Sequence, residues 1–166
     1  MQSRLTRRRS AARICIAAIF AVVLAAGPAH AAPADDYATL RRQVVAHYAA
    51  GAPSADTVKR YLEGLRDDGT WPDVDYADRT RGGWRTAGHV YRVLELAEAY
   101  AQPGHPLQGS AKVRDAVVRA LRHWVDKDYR NSNWWYTRIG VPKAVAPALL
   151  LMGDALPADL VAKARE

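Results

Sequence analysis

Cysteine is nearly missing from this 166-residue chain: there is one, Cys15, close to the start. Disulfide frameworks and thiolate zinc sites both need several, so neither is expected in the rest of the protein. The sequence also lacks Gly-x-Gly-x-x-Gly, a phosphate-binding loop and Gly-x-Ser-x-Gly, which removes nucleotide and serine-hydrolase chemistry. His47, His89, His105 and His123 include no His-x3-His pair, and no metal or other cofactor is expected. A calcium loop read from Asp73 fails, because Asp78 stands where glycine is needed and Trp84 where the last carboxylate belongs. No segment sustains the period-2 alternation of a strand, so the fold class is all-α.

Acidic residues are absent from positions 1–34, which hold Arg4, Arg7, Arg8, Arg9 and Arg13. The formal charge of +7 comes from 24 Lys and Arg against 17 Asp and Glu, and five of those 24 lie here. Residues 35–166 carry 19 against 17, or +2, too little for a general pull toward nucleic acid. The basic start is followed by the 13-residue apolar run Ile14 to Ala26 and by Ala29-His30-Ala31. That order is the pattern of a secretory signal peptide cleaved after Ala31. The run falls short of the roughly 20 residues that cross a bilayer, so a secreted, extracellular chain with no membrane association after cleavage is expected.

Beyond the leader, apolar residues recur at helical spacing. Asp35 or Asp36 caps a first helix with the stripe Tyr37, Leu40, Val44, Val45 and Tyr48, stopped by Gly51. Ser54 or Asp56 opens a second, through Val58, Tyr61, Leu62 and Leu65 to near Gly69. Thr86 caps a third, which runs through Val90, Val93, Leu94, Ala97 and Tyr100 to Gln102-Pro103-Gly104. A fourth starts at Ser110 and buries Val113, Val117, Ala120, Leu121 and Trp124. Pro142 sits in the first turn of a fifth that ends at Met152, with Pro147 kinking it or marking its true start, and a sixth begins near Pro157-Ala158-Asp159. No helix stop precedes Glu166, as expected of the opening part of a larger array.

Short connections make neighbouring helices antiparallel and send successive loops to opposite ends. Asp67 to Arg85 and Asp126 to Pro142 therefore share one end, and between them they hold four of the five tryptophans. Such rings either plug the end of the array or form a platform for a ligand. Adjacent loop residues rarely both point inward, so at least one of Trp134 and Trp135 is expected in solvent. An Asn-plus-Trp loop suits a carbohydrate, with flat rings against sugar faces and amides toward hydroxyls. The carboxylates of Asp67, Asp68, Asp73, Asp75 and Asp78 read first as turn and cap residues paired with Arg79, Arg81 and Arg85. Asp73 or Asp75 as a glycosidase acid or base is the alternative. His89, early in a helix leaving this end, is the histidine best placed to act, though a satisfied structural role is the simpler one. Arg79, Arg81, Arg85, Arg130 and Arg138 could meet the carboxylate or sulfate of an acidic glycan.

Two segments resemble the secreted polysaccharide lyases of family 8, the hyaluronate, chondroitin and xanthan lyases. One is Leu65-Arg66-Asp67-Asp68-Gly69-Thr70-Trp71-Pro72-Asp73-Val74-Asp75-Tyr76, followed by Trp84 and the helix Val93 to Tyr100. The other is Asn133-Trp134-Trp135-Tyr136-Thr137-Arg138-Ile139-Gly140-Val141-Pro142, followed by Leu149 to Met152. The resemblance implies antiparallel helix pairs in an α/α toroid, incomplete here, with residues 1–31 as leader and 32–166 as the opening portion of that domain. It implies β-elimination on a uronic-acid-containing polysaccharide, with Asn133, Trp134 and Trp135 as substrate-binding residues. The family's catalytic groups lie on later helices, so no catalytic residue is assigned here. The expected partner is an acidic polysaccharide; a non-catalytic carbohydrate-binding or helical interaction module is the alternative. Helix faces left without neighbours would promote self-association.

Overall fold

The computed structural model describes residues 36–166; the leader and its cleavage position lie outside the described residues. Among the described residues every regular element is helical. They are α1 (Asp36–Ala49), α2 (Ala55–Gly64), α3 (Gly88–Ala101), α4 (Ala111–Lys127), α5 (Val141–Met152) and α6 (Ala158–Ala164). Single-turn 310 segments at Arg85–Ala87 and Gly153–Ala155 and a π turn at Tyr136–Gly140 complete the order. No helix among the described residues is long and apolar enough to cross a membrane.

The hub is α3, which packs against α1, α2, α4 and α5. Its small and branched residues Val90, Val93, Leu96, Ala97 and Ala99 are buried on more than one side, which lets four neighbours approach. The predicted stripe of α4 is buried as spaced, and Asp128 ends that helix in the left-handed region, with its N–H on the Trp124 carbonyl at 3.1 Å. Lys163 to Asp126 at 2.6 Å and Arg122 to Asp159 at 3.1 Å tie α6 to α4. α1 is held less tightly. Leu40, expected in its buried stripe, is 58% exposed, and a cleft of about 930 Å3 separates α1 from Leu150 and Leu151 of α5.

The connections gather at two ends as alternating helices require. At one, His105 of the α3–α4 connection donates from Nε2 to the Pro53 carbonyl at 3.0 Å. At the other, Asn131 donates to the Thr80 carbonyl at 3.0 Å, Asn133 to that of Arg81 at 2.9 Å, and the Trp84 N–H to Tyr136 Oη at 2.9 Å.

Three predicted boundaries move. α2 stops at Gly64 rather than Gly69, because Leu65 turns extended and the Asp68 carboxylate takes the Thr70 N–H at 2.9 Å and its hydroxyl at 2.6 Å. A side chain that bonds local backbone in this way offers the chain an alternative to helix. Thr86 is no cap; it lies inside a 310 turn, fully buried, and its hydroxyl donates to the Asp75 carbonyl at 2.8 Å. The last correction bears on the site. The stretch before Pro142, expected as loop, is helical from Trp134 onward and runs through the π turn into α5, which continues past Pro147 to Met152.

Gly69 is held tightly against the backbone of α4. Its φ is +84°, and a methyl group there would stand 2.6 Å from the Arg119 carbonyl oxygen and 2.8 Å from His123 Cβ, both on α4. Gly69→Ala is expected to lower stability by about 2–4 kcal/mol, the sum of a left-handed penalty and overpacking, measured by urea unfolding. An unchanged midpoint would show that the turn does not bear on α4.

Candidate functional site

The aromatic end has an interior and an outer face, and the tryptophans divide between them. Trp71 and Trp84 are 1% and 3% exposed and plug the end of the array; Trp134 and Trp135 are 62% and 40% exposed.

The interior is a chain of hydrogen bonds through stacked rings. The Trp71 N–H donates to Tyr76 Oη at 3.0 Å, and Tyr76 Oη lies 2.9 Å from His89 Nδ1. His89 Nε2 is 2.9 Å from the Ala120 carbonyl. A carbonyl only accepts, so Nε2 carries the proton, Nδ1 accepts, and the Tyr76 hydroxyl donates. His123 repeats the device, donating from Nδ1 to the Asp68 carbonyl at 2.9 Å and facing Tyr129 Oη from Nε2 at 3.0 Å. His89 lies 5.4 Å from Trp124 in a stacked pair. Burial pushes its imidazole down to about 4 and pushes the Tyr76 phenol up to about 12, so both are neutral at ordinary pH. Both ring nitrogens of His89 are occupied, which makes it the structural histidine of the simpler reading.

The acidic run is a set of fasteners. Asp68 and Asp78 share an Asp-x-Thr pattern in which one carboxylate oxygen accepts both the N–H and the hydroxyl of the threonine two residues on. Asp78 also accepts the Arg85 N–H on its other oxygen, and its own carbonyl accepts Trp84 Nε1–H at 3.0 Å. The Thr80 hydroxyl, followed by the Arg85 and Thr80 N–H groups, holds the Asp78 carboxyl down at about 2. Asp75 caps Ala77, and Asp73 forms a two-pronged pair with Arg92. The expected partners Arg79, Arg81 and Arg85 are thus replaced by threonines, backbone N–H groups, Arg92 and, for Asp67, Arg119 at 3.4 Å. With Asp73 engaged by Arg92 and Asp75 on backbone, the glycosidase alternative receives no support from the geometry.

Asp78 clamps residues 78–85 into the shelf on which the outer face rests. Asn131 Oδ1 accepts the Asn133 N–H at 2.8 Å while its amide holds the Thr80 carbonyl. Asn133 in turn accepts the Trp135 N–H on Oδ1 at 3.1 Å and holds Arg81 with its amide, the bonding of a helix N-cap. Trp134 and Trp135 therefore start a helix instead of riding a loop. Trp135 meets Tyr136 edge-on at 5.2 Å, and Tyr136 meets the buried Trp84 edge-on at 5.4 Å. Among the described residues, one donor and one acceptor of the Asn133 side chain have no partner. Arg81, Arg85 and Arg138 are exposed and, among the described residues, are in no ion pair. Sequence reasoning missed Asp78 and Asn131 as supports of this face; the repeated Asp-x-Thr was the available signal for the first.

Residues 34–166 match the model of the polysaccharide lyase family 8 N-terminal alpha-helical domain, and the chain belongs to that family. It is 32% identical to chondroitinase-AC of Pedobacter heparinus over 94 residues, 57% of this chain and 13% of that enzyme. A structure of chondroitinase AC lyase, from work on its complexes with oligosaccharides, superposes with a TM-score of 0.67 at 28% identity. That match covers 76% of this chain and 20% of the other, so the chain spans a small part of the relatives it matches.

One helix carries two buried ionisable groups with opposite demands. Burial, and secondarily Glu95, pushes the Glu98 carboxyl up to about 7, whereas His89 is pushed down. Below its ordinary value of 6.5 an unfolded histidine gains a proton that native His89 refuses until about 4, so its contribution falls with pH across that window. Glu98 acts the other way: native Glu98 stays protonated between 4.5 and about 7, and stability falls as pH rises. The two slopes offset each other between pH 4.5 and 6.5. Glu98→Gln is expected to expose the histidine slope, a stability higher at pH 6.5 than at 4.5 by about 2 kcal/mol in urea unfolding. A flat profile in the variant would show that His89 is not held neutral.

Proposed function

We propose that this chain is the N-terminal, substrate-stacking part of a secreted polysaccharide lyase acting on uronic-acid-containing polysaccharide such as chondroitin, hyaluronan or xanthan. The observation that carries the reading is the exposed Trp134–Trp135 pair, held at a helix start by Asn133 and backed by Tyr136. Leaving two indole rings in solvent forgoes their burial, and a fixed scaffold beneath them marks a surface prepared for a flat apolar partner. Sugar faces supply one. Arg81, Arg85 and Arg138, exposed and in no ion pair among the described residues, favour an acidic glycan over a neutral one. The leader pattern supports secretion.

In β-elimination a neutralised carboxylate acidifies the uronate C5–H, a base removes that proton, and the 4-linked oxygen leaves as it is reprotonated. The residues of this chain take no part in those transfers; Trp134 and Trp135 hold the polymer in register and Asn133 fixes their backbone. The buried, doubly bonded His89 is not free to act as the base.

The mature chain, mixed with chondroitin oligosaccharides, is expected to bind them with quenching or enhancement of tryptophan fluorescence and to release no ultraviolet-absorbing unsaturated product. Trp134→Ala and Trp135→Ala are each expected to weaken binding by about tenfold, the equivalent of one stacking contact near 1.4 kcal/mol. Full affinity in both variants would overturn the stacking role. Unsaturated product from this chain would overturn the division between stacking and catalysis.

A further inference from the structure

The two exposed tryptophans are not equivalent. Trp134 is the more exposed and has no aromatic neighbour among the described residues, whereas Trp135 has Tyr136 on one side and Gly140 beneath it. A methyl group at Gly140 would stand 2.5 Å from Trp135 Cζ3, 3.1 Å from Cε3 and 3.2 Å from Cη2, so the Cζ3 edge of the six-membered ring rests against the glycine. That juxtaposition depends on the π turn. In a regular α-helix residues five apart point about 140° away from each other. The turn Tyr136–Gly140 is one residue wider, closed by the Val141 N–H on the Tyr136 carbonyl, and it brings Gly140 back beneath Trp135, five positions earlier. Pro142, which follows at once, has no N–H to give the Arg138 carbonyl, so the regular bond is already missing there.

The backbone at Gly140 is ordinary right-handed helix, with φ −61° and ψ −51°. Nothing in its dihedrals needs glycine, and alanine is the better helix former. What glycine supplies here is the absence of Cβ.

We propose that Gly140 is a positioning residue for glycan stacking: the π turn carries a side-chain-free backbone under Trp135 and sets the angle at which that ring meets the sugar. This rests on the reading of Trp134 and Trp135 as stacking residues. Trp135 is the preset half of the platform, and Trp134 is the half that adjusts to the ligand.

The test is Gly140→Ala in the mature chain, alone and combined with Trp135→Ala, titrated with chondroitin oligosaccharides. Gly140→Ala is expected to keep the far-ultraviolet circular dichroism and the unfolding midpoint, to change the near-ultraviolet tryptophan signal, and to weaken binding about 5- to 10-fold. In the Trp135→Ala background the same substitution is expected to cost no further affinity, because the ring it displaces is gone. Full affinity in Gly140→Ala, or an equal loss with and without Trp135, overturns the positioning role while Trp135→Ala alone upholds stacking. If Trp135→Ala itself binds fully, Trp135 is not a stacking residue and this inference falls, whereas the stacking role of the pair is overturned only when Trp134→Ala binds fully as well. Should Gly140→Ala unfold the chain, the comparison is repeated on Trp135→Phe, whose shorter ring clears the methyl; equal affinities with and without Gly140→Ala support the proposal and unequal ones overturn it.

Discussion

The Asp78 carboxylate is the interaction on which the outer face depends. A buried charge is tolerated only when its oxygens are filled, and Asp78 is met by the Thr80 N–H and hydroxyl and by the Arg85 N–H. Those bonds fold residues 78–85 back on themselves, with the Trp84 indole closing the loop from below. The carbonyls of Thr80 and Arg81 then face outward, where Asn131 and Asn133 take hold of them. Without the clamp the two asparagines would have no fixed acceptors, and the helix that begins at Trp134 would lose its anchor.

The exposed rings are the outer end of a path that starts in the core. His89 stacks on Trp124, Trp124 lies 6.0 Å from Trp84, Trp84 meets Tyr136, and Tyr136 meets Trp135. The first step is stacked, the second tilted at 58° and the last two edge-on, so no pair is a face-to-face sandwich of the kind aromatic quadrupoles disfavour. A surface tryptophan coupled in this way gives up rotamer freedom before any ligand arrives, which lowers the ordering cost of binding.

Much of the fold was legible because helical periodicity is local. The buried stripe of α4 follows its spacing, and the alternation of loop ends follows from short connections. The end of α2 was not legible, since the competition at Leu65 is decided by an Asp68 side chain that leaves helical spacing intact. Nor was the helical start at Trp134: Asn131 and Asn133 look like loop residues until the carbonyls of a segment about 50 positions away hold their amides. Leu40 matched the pattern of a core position and yet lies in solvent, because no neighbouring helix reaches that side of α1 among the described residues.

The sequence by itself determined the helical class, the family and the position of the aromatic end, because spacing and a distinctive run of side chains are read along the chain. Only the tertiary structure decided which tryptophans plug the core and which face solvent, why the carboxylates are fasteners, and why Gly140 lies under Trp135. Those are questions of which distant backbone groups meet one another.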